Sequence, residues 1–338
     1  MIDFRSDTVS KPTPEMVEAM FNAKVGDDVF VEDETVNQLE QKVADMFGMD
    51  AALFCPSGTM TNQIAINIHT RPGDEVICGR QAHIYCYEGG GIAKNSGASV
   101  RLIEGESGLF TAQDVLNNIN NRNDIHLPYT SLVSVENTSN RGGGVCYSFS
   151  DLEAIEKVCK ANDLAYHIDG ARLFNAMIKN NETPQQYGNI FDSISICLSK
   201  GLGCPVGSLI IGDKDFIIKA RRVRKVLGGG MRQIGYLAAA AIYALDNNIN
   251  RLAIDHERAK EIASHINVYP SIKSVINPET NILVFIVNDD VNPVEYCEKL
   301  KEKGMLAMPF GADRIRLVTH INLNDNDISR AIEILKSI

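Results

Sequence analysis

The chain has 338 residues, of which 44% are apolar and 22% are charged. This length and apolar content suffice for one large and one smaller domain, and they exclude intrinsic disorder as the main state. The 33 basic and 43 acidic residues give a net charge of -10, and the two signs are interspersed along the chain. A nucleic-acid partner is therefore not expected, because phosphate contacts need concentrated positive charge.

Targeting and metal-binding signals are not expected in this sequence. Asp3, Arg5 and Asp7 near the amino terminus interrupt any apolar core of a secretory signal. The longest apolar run, 234–245, is too short to cross a bilayer and is interpreted as a buried helix. The eight cysteines show no zinc-ligand spacing. We expect a cytoplasmic protein with free thiols, no membrane contact and no metal.

Short apolar runs alternate with amphipathic stretches through the first three quarters of the chain. This alternation predicts a mostly parallel sheet wrapped by helices. Capping residues at Ser57 and Ser148 mark two helix starts, because their hydroxyls can accept from unpaired backbone donors. The predicted strands, in chain order, are 51–55, 75–78, 99–103, 131–136, 165–169 and 193–198.

The pattern changes after about residue 250. A long charged helix from Arg251, a helix over 291–303 and a final helix alternate there with strands predicted at 282–287, 305–310 and 314–319. No repeat or low-complexity tract is visible. We therefore predict an amino-terminal arm, a large α/β domain and a small α+β domain, with the bounds 1–14, 15–250 and 251–338.

Two motifs follow neighbouring predicted strands. An Asp-Gly-Ala-Arg motif begins at Asp169, and a Ser-Lys-Gly-Leu-Gly motif surrounds Lys200. Ligands in open α/β sheets bind beyond the carboxyl ends of strands, so we expect both side chains at one rim. A partly desolvated lysine forms a Schiff base with an aldehyde, and an aspartate keeps a pyridine nitrogen protonated. This pair suits pyridoxal phosphate, although a turn and a solvated lysine are the ordinary alternatives.

Candidate phosphate-binding residues lie at Gly58 and Thr59, where a predicted strand leads into a helix. Backbone donors at a helix start bind phosphate, although a simple helix cap has the same sequence. The glycine-rich stretch 228–230 precedes Arg232, which could add a charge-assisted contact or only mark a helix boundary.

Three further polar residues have both functional and structural interpretations. His83 follows a predicted strand and could stack on a planar cofactor or move protons. His126 lies in a predicted loop and has the same ambiguity. Arg316 alternates with apolar neighbours and could bind a substrate carboxylate, although a charge on an edge strand is the common explanation.

Together these segments resemble the low-specificity L-threonine aldolases, a family of fold type I pyridoxal-phosphate enzymes. The resemblance covers essentially the whole chain, and it implies an α/β, transferase-like fold with a mostly parallel seven-stranded sheet and a small α+β carboxyl-terminal domain. The matching segments are 4–9, 26–29, 32–37, 56–62, 83–85, 136–138, 167–175, 198–203, 228–233 and 316–320.

The resemblance implies a role for each candidate residue. Lys200 would form the Schiff base, Asp169 would contact the pyridine nitrogen, and His83 would stack on the ring. Arg172 would bind near the ring hydroxyl and the substrate carboxylate. The other implied roles are phosphate binding by Gly58, Thr59 and a neighbouring subunit's Arg232, carboxylate binding by Ser6 and Arg316, and a position near the β-hydroxyl for His126.

The implied reaction is aldol cleavage of L-threonine or L-allo-threonine to glycine and acetaldehyde, in a homotetramer with active sites at the subunit interface. The base could be His83, His126 or water. A β-eliminating lyase or racemase, a cofactor-free Schiff-base aldolase and a non-catalytic oligomeric binding protein are the alternatives. Phe30 and Ser139 replace a tyrosine and a histidine found in many relatives.

Overall fold

The computed structural model describes all 338 residues as thirteen helices and thirteen strands, with three short 3-10 or π turns. The α-helices are α1 Pro14–Phe21, α2 Glu34–Phe47, α3 Gly58–His69, α4 His83–Cys86, α5 Ala112–Asn118, α6 Phe149–Ala161, α7 Leu173–Asn180, α8 Pro184–Gly188, α9 Lys214–Val226, α10 Gly235–Asn247, α11 Leu252–Ile266, α12 Pro293–Glu302 and α13 Asp325–Lys336. The strands are β1 Ile2–Asp3, β2 Ala51–Cys55, β3 Glu75–Gly79, β4 Ser99–Ile103, β5 Thr130–Glu136, β6 Ala165–Gly170, β7 Ser193–Cys197, β8 Ser208–Gly212, β9 Ile272–Ile276, β10 Ile282–Val287, β11 Met305–Leu306, β12 Met308–Pro309 and β13 Arg314–Val318.

The large sheet has seven strands in the order β2-β8-β7-β6-β5-β3-β4. Only β8 runs antiparallel to its neighbours, so the other six strands end at the same edge of the sheet. All six strands predicted in this region are confirmed within one residue at each end. The reversed strand β8 was not predicted individually, although the family resemblance implied a seventh strand.

The small sheet is antiparallel, with the order β12-β13-β10-β9. The prediction of one strand over 305–310 is wrong, because the chain changes sheets at Ala307: β11 pairs with β1 and β12 pairs with β13. Strand β9 was also missed. Lys273 and Ser274 are both exposed within it, so β9 lacks the apolar alternation that marks a half-buried strand.

Two main hydrophobic clusters lie under the two sheets. The larger contains 40 buried residues between Met16 and Leu252, including four alanines of α10. The second contains 19 residues, and it joins Ile2 and Phe4 to the carboxyl-terminal elements. The amino-terminal arm therefore packs on the small sheet, where the Val318 amide also donates to the Phe4 carbonyl at 2.9 Å. No helix combines the length and apolar character needed to span a membrane.

Candidate active site

The strand ends of the large sheet bring the central predicted residues to one edge. Asp169 of β6 lies in register with Glu136 of β5 and Ser195 of β7. Lys200 follows the end of β7, and Gly58 follows the end of β2. Asp169 and Lys200 therefore share one rim, at the edge where open α/β sheets bind ligands.

The Lys200 side chain is partly exposed, and its amine makes no hydrogen bond or ion pair within the chain. Its backbone is fixed, because the Lys200 carbonyl accepts from the Gly203 amide at 2.9 Å and from Ser10 Oγ at 3.1 Å. The ammonium lies close enough to act electrostatically on Asp7 and His83. Because its backbone is fixed and its amine has no hydrogen-bond partner, Lys200 is suited to form a covalent bond with a ligand.

The carboxylate of Asp169 is buried and held by two donors. Its Oδ2 accepts from Asn62 Nδ2 at 2.8 Å, and its Oδ1 accepts from the Ala171 amide at 3.1 Å. The Asn62 amide also donates to Glu88 Oε1 at 2.9 Å. Glu88 in turn contacts His83 Nδ1 at 3.0 Å. The site thus contains two buried carboxylates that share one amide group.

The imidazole of His83 is fixed beside these carboxylates. The His83 amide, at the start of α4, donates to Glu136 Oε2 at 2.7 Å. Burial lowers the pKa of His83, but the hydrogen bond to Glu88 and the charge of Asp169 raise that pKa more, so the net shift is upward. Burial, followed by the charge of Asp169, raises the pKa of Glu136. The environment therefore favours the imidazolium form of His83.

Helix α3 begins at Gly58 with its first turn at the same edge of the sheet. Ser57 caps this helix by accepting from the Met60 amide at 3.2 Å, as predicted. A Cβ atom at Gly58 would lie 2.6 Å from Cys197 Sγ, so only glycine lets the helix approach β7 this closely. The amides of Gly58 and Thr59 are unpaired first-turn donors, which is the arrangement that binds phosphate.

Arg172 is buried and carries an ion pair that the sequence did not suggest. Its Nε and Nη2 donate to the two carboxylate oxygens of Asp7 at 2.8 and 2.7 Å. Asn281 Nδ2 also donates to Asp7 at 3.2 Å. Burial raises the pKa of Asp7, but the charge and hydrogen bonds of Arg172 lower it by more. The pKa of Asp7 therefore lies well below its ordinary value. Only Nη1 of Arg172 stays free of a carboxylate, facing Asn140 Oδ1 at 3.4 Å.

Arg316 is equally buried but has no carboxylate partner. Its Nη1 donates to Asn140 Oδ1 at 2.9 Å and its Nη2 to the Arg5 carbonyl at 3.0 Å. Its Nε is buried without any hydrogen-bond partner. Burial and the nearby charge of Arg172 lower the pKa of Arg316 to about 10. The guanidinium is therefore desolvated, and one of its donors is left unpaired.

The remaining predicted residues differ in their placement. Ser6 lies between Arg5 and Asp7, whose carbonyl and carboxylate contact the two arginines, and its own hydroxyl caps a short turn by accepting from the Thr8 amide at 3.2 Å. Arg232 has a half-exposed side chain, which is paired with Asp27 at 3.0 Å. Its predicted phosphate contact in a neighbouring subunit stays a prediction.

His126 does not lie at the site of its own chain. Its side chain is exposed in the loop before β5, at the amino edge of the sheet. The strand Thr130–Glu136 separates it from Asp169 by roughly 20 Å, at about 3.3 Å per residue. Its expected position near the substrate hydroxyl therefore stays a prediction, and it requires the site of a neighbouring subunit.

The two residues that depart from the family pattern differ in their surroundings. Ser139 is buried, and its Oγ donates to the Ser107 carbonyl at 2.9 Å and accepts from the Gly142 amide at 3.2 Å. Phe30 is 70% exposed within one chain.

Several supporting residues were missed by the sequence analysis. Asn62, Glu88 and Glu136 surround Asp169, whereas Asp7 and Asn140 hold the two arginines. Asp7, Asn62 and Glu136 lie inside the segments that carry the family resemblance, whereas Glu88 and Asn140 lie outside them. Acidic and amide residues inside those segments were therefore a usable signal.

Comparisons with known proteins agree with this geometry. The family model of the beta-eliminating lyases matches residues 3–290. The chain is 40% identical to the low specificity L-threonine aldolase of Escherichia coli K12, over 97% of this chain and 96% of that protein. It is 41% identical to low-specificity L-threonine aldolase 1 of Arabidopsis thaliana, over 97% and 93% of the two chains.

Solved structures share the fold at lower identity. A threonine aldolase of Leishmania major has a TM-score of 0.85 at 22% identity, covering 100% of this chain and 99% of that chain. A serine palmitoyltransferase of Sphingomonas wittichii has a TM-score of 0.77 at 15% identity, covering 99% and 86%. The architecture is thus that of the fold type I pyridoxal-phosphate enzymes, and the chain belongs to the low-specificity L-threonine aldolases of the beta-eliminating lyase family.

Proposed function

We propose that this protein is a pyridoxal-phosphate-dependent L-threonine aldolase, an aldehyde-lyase that cleaves L-threonine or L-allo-threonine to glycine and acetaldehyde. One observation carries the proposal: the uncommitted amine of Lys200 and the buried carboxylate of Asp169 share a rim, and the buried guanidinium of Arg316 beside it has no carboxylate partner. The identity to curated aldolases over nearly the full chain supports it.

The residues at the rim fit pyridoxal phosphate. The amine of Lys200 would bind the aldehyde carbon, and Asp169 would hold the ring nitrogen. The amides of Gly58 and Thr59 would receive the phosphate, at a position where a Cβ atom on Gly58 would collide with Cys197. When bound, this cofactor supplies an electron sink for the pair of electrons released from the broken Cα–Cβ bond.

The arginine pair, Arg172 and Arg316, would bind the substrate. Arg316 offers a buried unpaired Nε, and Arg172 offers Nη1, so both can donate to one α-carboxylate. Asn140 fixes the two guanidiniums relative to each other, because its Oδ1 accepts from both. A carboxylate held by two fixed donors restricts rotation of the substrate and thus sets which bond at Cα is aligned for cleavage.

His83 is suited to donate a proton rather than to accept one. Its Nδ1 is committed to Glu88 at 3.0 Å, and its pKa is raised overall. The His83 imidazolium also compensates the charges of Glu88 and Asp169, whose ligand atoms lie within 4.8 Å of those of His83. We therefore assign His83 to charge compensation at the cofactor ring, and the proton of the β-hydroxyl to another acceptor.

We also propose that the enzyme is a cytoplasmic homotetramer. All eight cysteines are free thiols, as a reducing compartment requires. Phe21, Phe30 and Val226 expose 84%, 70% and 86% of their surfaces, which is apolar area that an interface would cover. In such an assembly Arg232 and His126 can serve the site of a partner, which neither reaches in its own chain.

The test is a visible absorption spectrum of the purified protein, followed by addition of L-allo-threonine and detection of acetaldehyde. We expect a yellow protein that releases acetaldehyde and glycine in equal amounts. A yellow protein that releases ammonia and a 2-oxo acid would support β-elimination, and one that only interconverts enantiomers would support racemisation. A protein that pyridoxal phosphate cannot turn yellow would overturn the proposal from Lys200 onward.

A further inference from the structure

A continuous series of hydrogen bonds crosses the buried interior beneath Asp169. It begins at the amino edge of the sheet, where His69 Nε2 contacts Ser193 Oγ at 2.9 Å. Ser193 Oγ contacts His167 Nδ1 at 2.9 Å, and His167 Nε2 contacts Asn62 Oδ1 at 3.2 Å. Asn62 Nδ2 completes the series by donating to Asp169 Oδ2 at 2.8 Å. The proposed function uses only Asp169, the last group of this series.

The orientation of the Asn62 amide follows from the end of this series. The Asn62 amide must face Asp169 and Glu88 with its NH2 group, because both carboxylates accept from it. Its oxygen therefore faces His167 Nε2, which donates to it. On the other side of the ring, His167 Nδ1 lies 2.9 Å from Ser193 Oγ and 3.1 Å from the Ser193 carbonyl oxygen, so both oxygens of Ser193 hold the imidazole. His167 and Asn62 thus both donate toward Asp169.

Both histidines in the series are neutral at physiological pH. Burial lowers the pKa of His69 to about 3 and that of His167 to about 4. Ser193 and His167 are completely buried, and Asn62 is 1% exposed. The series consequently transmits no net charge. The His167 and Asn62 side chains act as two aligned dipoles whose positive ends point toward the carboxylate.

Asp169 lies within a crowded group of charged side chains. Glu88 and Glu136 are further carboxylates in its neighbourhood, and His83, Lys200 and Arg172 bring positive charge near the same rim. These charges attract or repel the carboxylate from several sides. Donors from beneath the sheet hold the Asp169 oxygens in one orientation without adding a competing cation.

We propose that His167 and Asn62 are positioning residues which, with Ser193 and His69, hold the Asp169 carboxylate against the ring nitrogen of the cofactor. The inference rests on the proposed function, since it requires pyridoxal phosphate at the rim. It extends the functional site across the sheet to His69, a residue that touches neither substrate nor cofactor.

The experiment records the ¹⁵N resonance of pyridoxal phosphate, labelled at its ring nitrogen and bound to wild type and to variants. We expect a protonated nitrogen in wild type. His167→Phe removes the donor to Asn62, so the resonance should move toward the neutral form and the cofactor Kd should rise about 10-fold. His167→Gln keeps a donor at the Nε2 position and should stay within about 2-fold of wild type in Kd.

His69→Phe tests the remote end of the series. Phenylalanine preserves the stacking on Phe216, whose ring centroid lies 5.0 Å from that of His69. The resonance should move in the same direction as in His167→Phe but less, with a rise in Kd of about 2- to 3-fold. His256→Phe is the matched control, because His256 is a buried neutral histidine bonded only to Asn175, outside the series. It should leave the resonance unchanged.

Thermal unfolding of each variant separates this role from loss of structure. If His167→Phe fails to fold, His69→Phe carries the test. A wild-type resonance in the folded His69→Phe and His167→Phe proteins would overturn the proposal while leaving the aldolase assignment intact. The same shift in His256→Phe would also overturn it. A wild-type protein that binds no pyridoxal phosphate would overturn the proposed function and this inference together.

Discussion

The two halves of the site are built in different ways. The half on the large sheet, around Asp169 and Lys200, consists of residues that follow directly from strand ends. The half around Arg316 joins the amino-terminal arm, the loop after β5 and the small sheet, through Asp7, Asn140 and Arg316 itself. In the first half the buried carboxylates are fully hydrogen-bonded. In the second half a buried guanidinium nitrogen has no partner.

This difference separates two tasks. A cofactor that stays bound can be received by groups whose protein contacts are complete, because those contacts fix geometry and charge in advance. A substrate that comes and goes must supply something the protein lacks, and here the missing group is a carboxylate beside Arg316. Substitutions in the first half should therefore change the chemistry, and those in the second should change substrate binding or the fold.

The largest effect is expected from Lys200→Ala. This change removes the amine that would bind the cofactor, so kcat should fall by at least about 10⁴-fold. Non-covalent cofactor binding should persist, since the phosphate and ring contacts stay in place. Acetaldehyde release and the visible spectrum measure the two effects. Full activity in this variant would disprove the assignment of the covalent site.

Asp7→Asn should have the next largest effect, on stability. It leaves the Arg172 guanidinium buried without a charged partner, and breaking such a pair costs about 3–5 kcal/mol. Urea unfolding measures the loss. The exposed pair Lys273–Asp289 supplies the control, because Asp289→Asn should change the unfolding free energy by less than about 1 kcal/mol. Equal losses in the two variants would contradict the role given to Asp7.

Arg316→Ala should affect substrate binding more than chemistry. Loss of the hydrogen bonds to the α-carboxylate is expected to raise KM roughly 10- to 100-fold, while the cofactor Kd stays within about 2-fold of wild type. Arg316→Lys keeps the charge without the planar donor pair, so its KM should lie between those of wild type and Arg316→Ala. Steady-state kinetics and cofactor titration measure these quantities. An unchanged KM would remove Arg316 from the carboxylate site.

The smallest expected effect is a pH dependence of the unfolding free energy, which comes from Asp7 in the half of the site around Arg316. The pKa of Asp7 in the folded protein lies below its ordinary value of 3.8. Ionised Asp7 therefore stabilises the fold above about pH 4, and this stabilisation is lost as the pH falls toward the folded-state pKa. Between pH 5 and pH 3 we expect wild type to lose about 1 kcal/mol more than Asp7→Asn in urea unfolding. Parallel losses would show that Arg172 does not depend on the charge of Asp7.

Sequence analysis predicted the first half of the site better than the second. The strand over 165–169 and the motif after it placed Asp169 correctly, because hydrophobic periodicity and strand ends are local properties. The Asp7–Arg172 pair joins residues 165 positions apart. No local pattern encodes that contact, so the prediction for Arg172 lacked its principal partner.

The errors in the fold have the same origin. The reversed strand β8 and the divided segment 305–310 depend on which sheet accepts each strand, and only tertiary pairing decides this. The loop of His126, in contrast, was predicted before the strand 131–136, and it lies before β5. Which subunit's site that loop serves depends on the assembly and not on any local pattern.

The pairing of β1 with β11 has a consequence for the order of events during synthesis. Ile2 and Asp3 leave the ribosome long before Met305 and Leu306, so they must wait for these residues before they gain a neighbouring strand. The contact from Arg316 to the Arg5 carbonyl closes even later. A nascent chain can therefore complete the large-sheet half of the site before the half around Arg316.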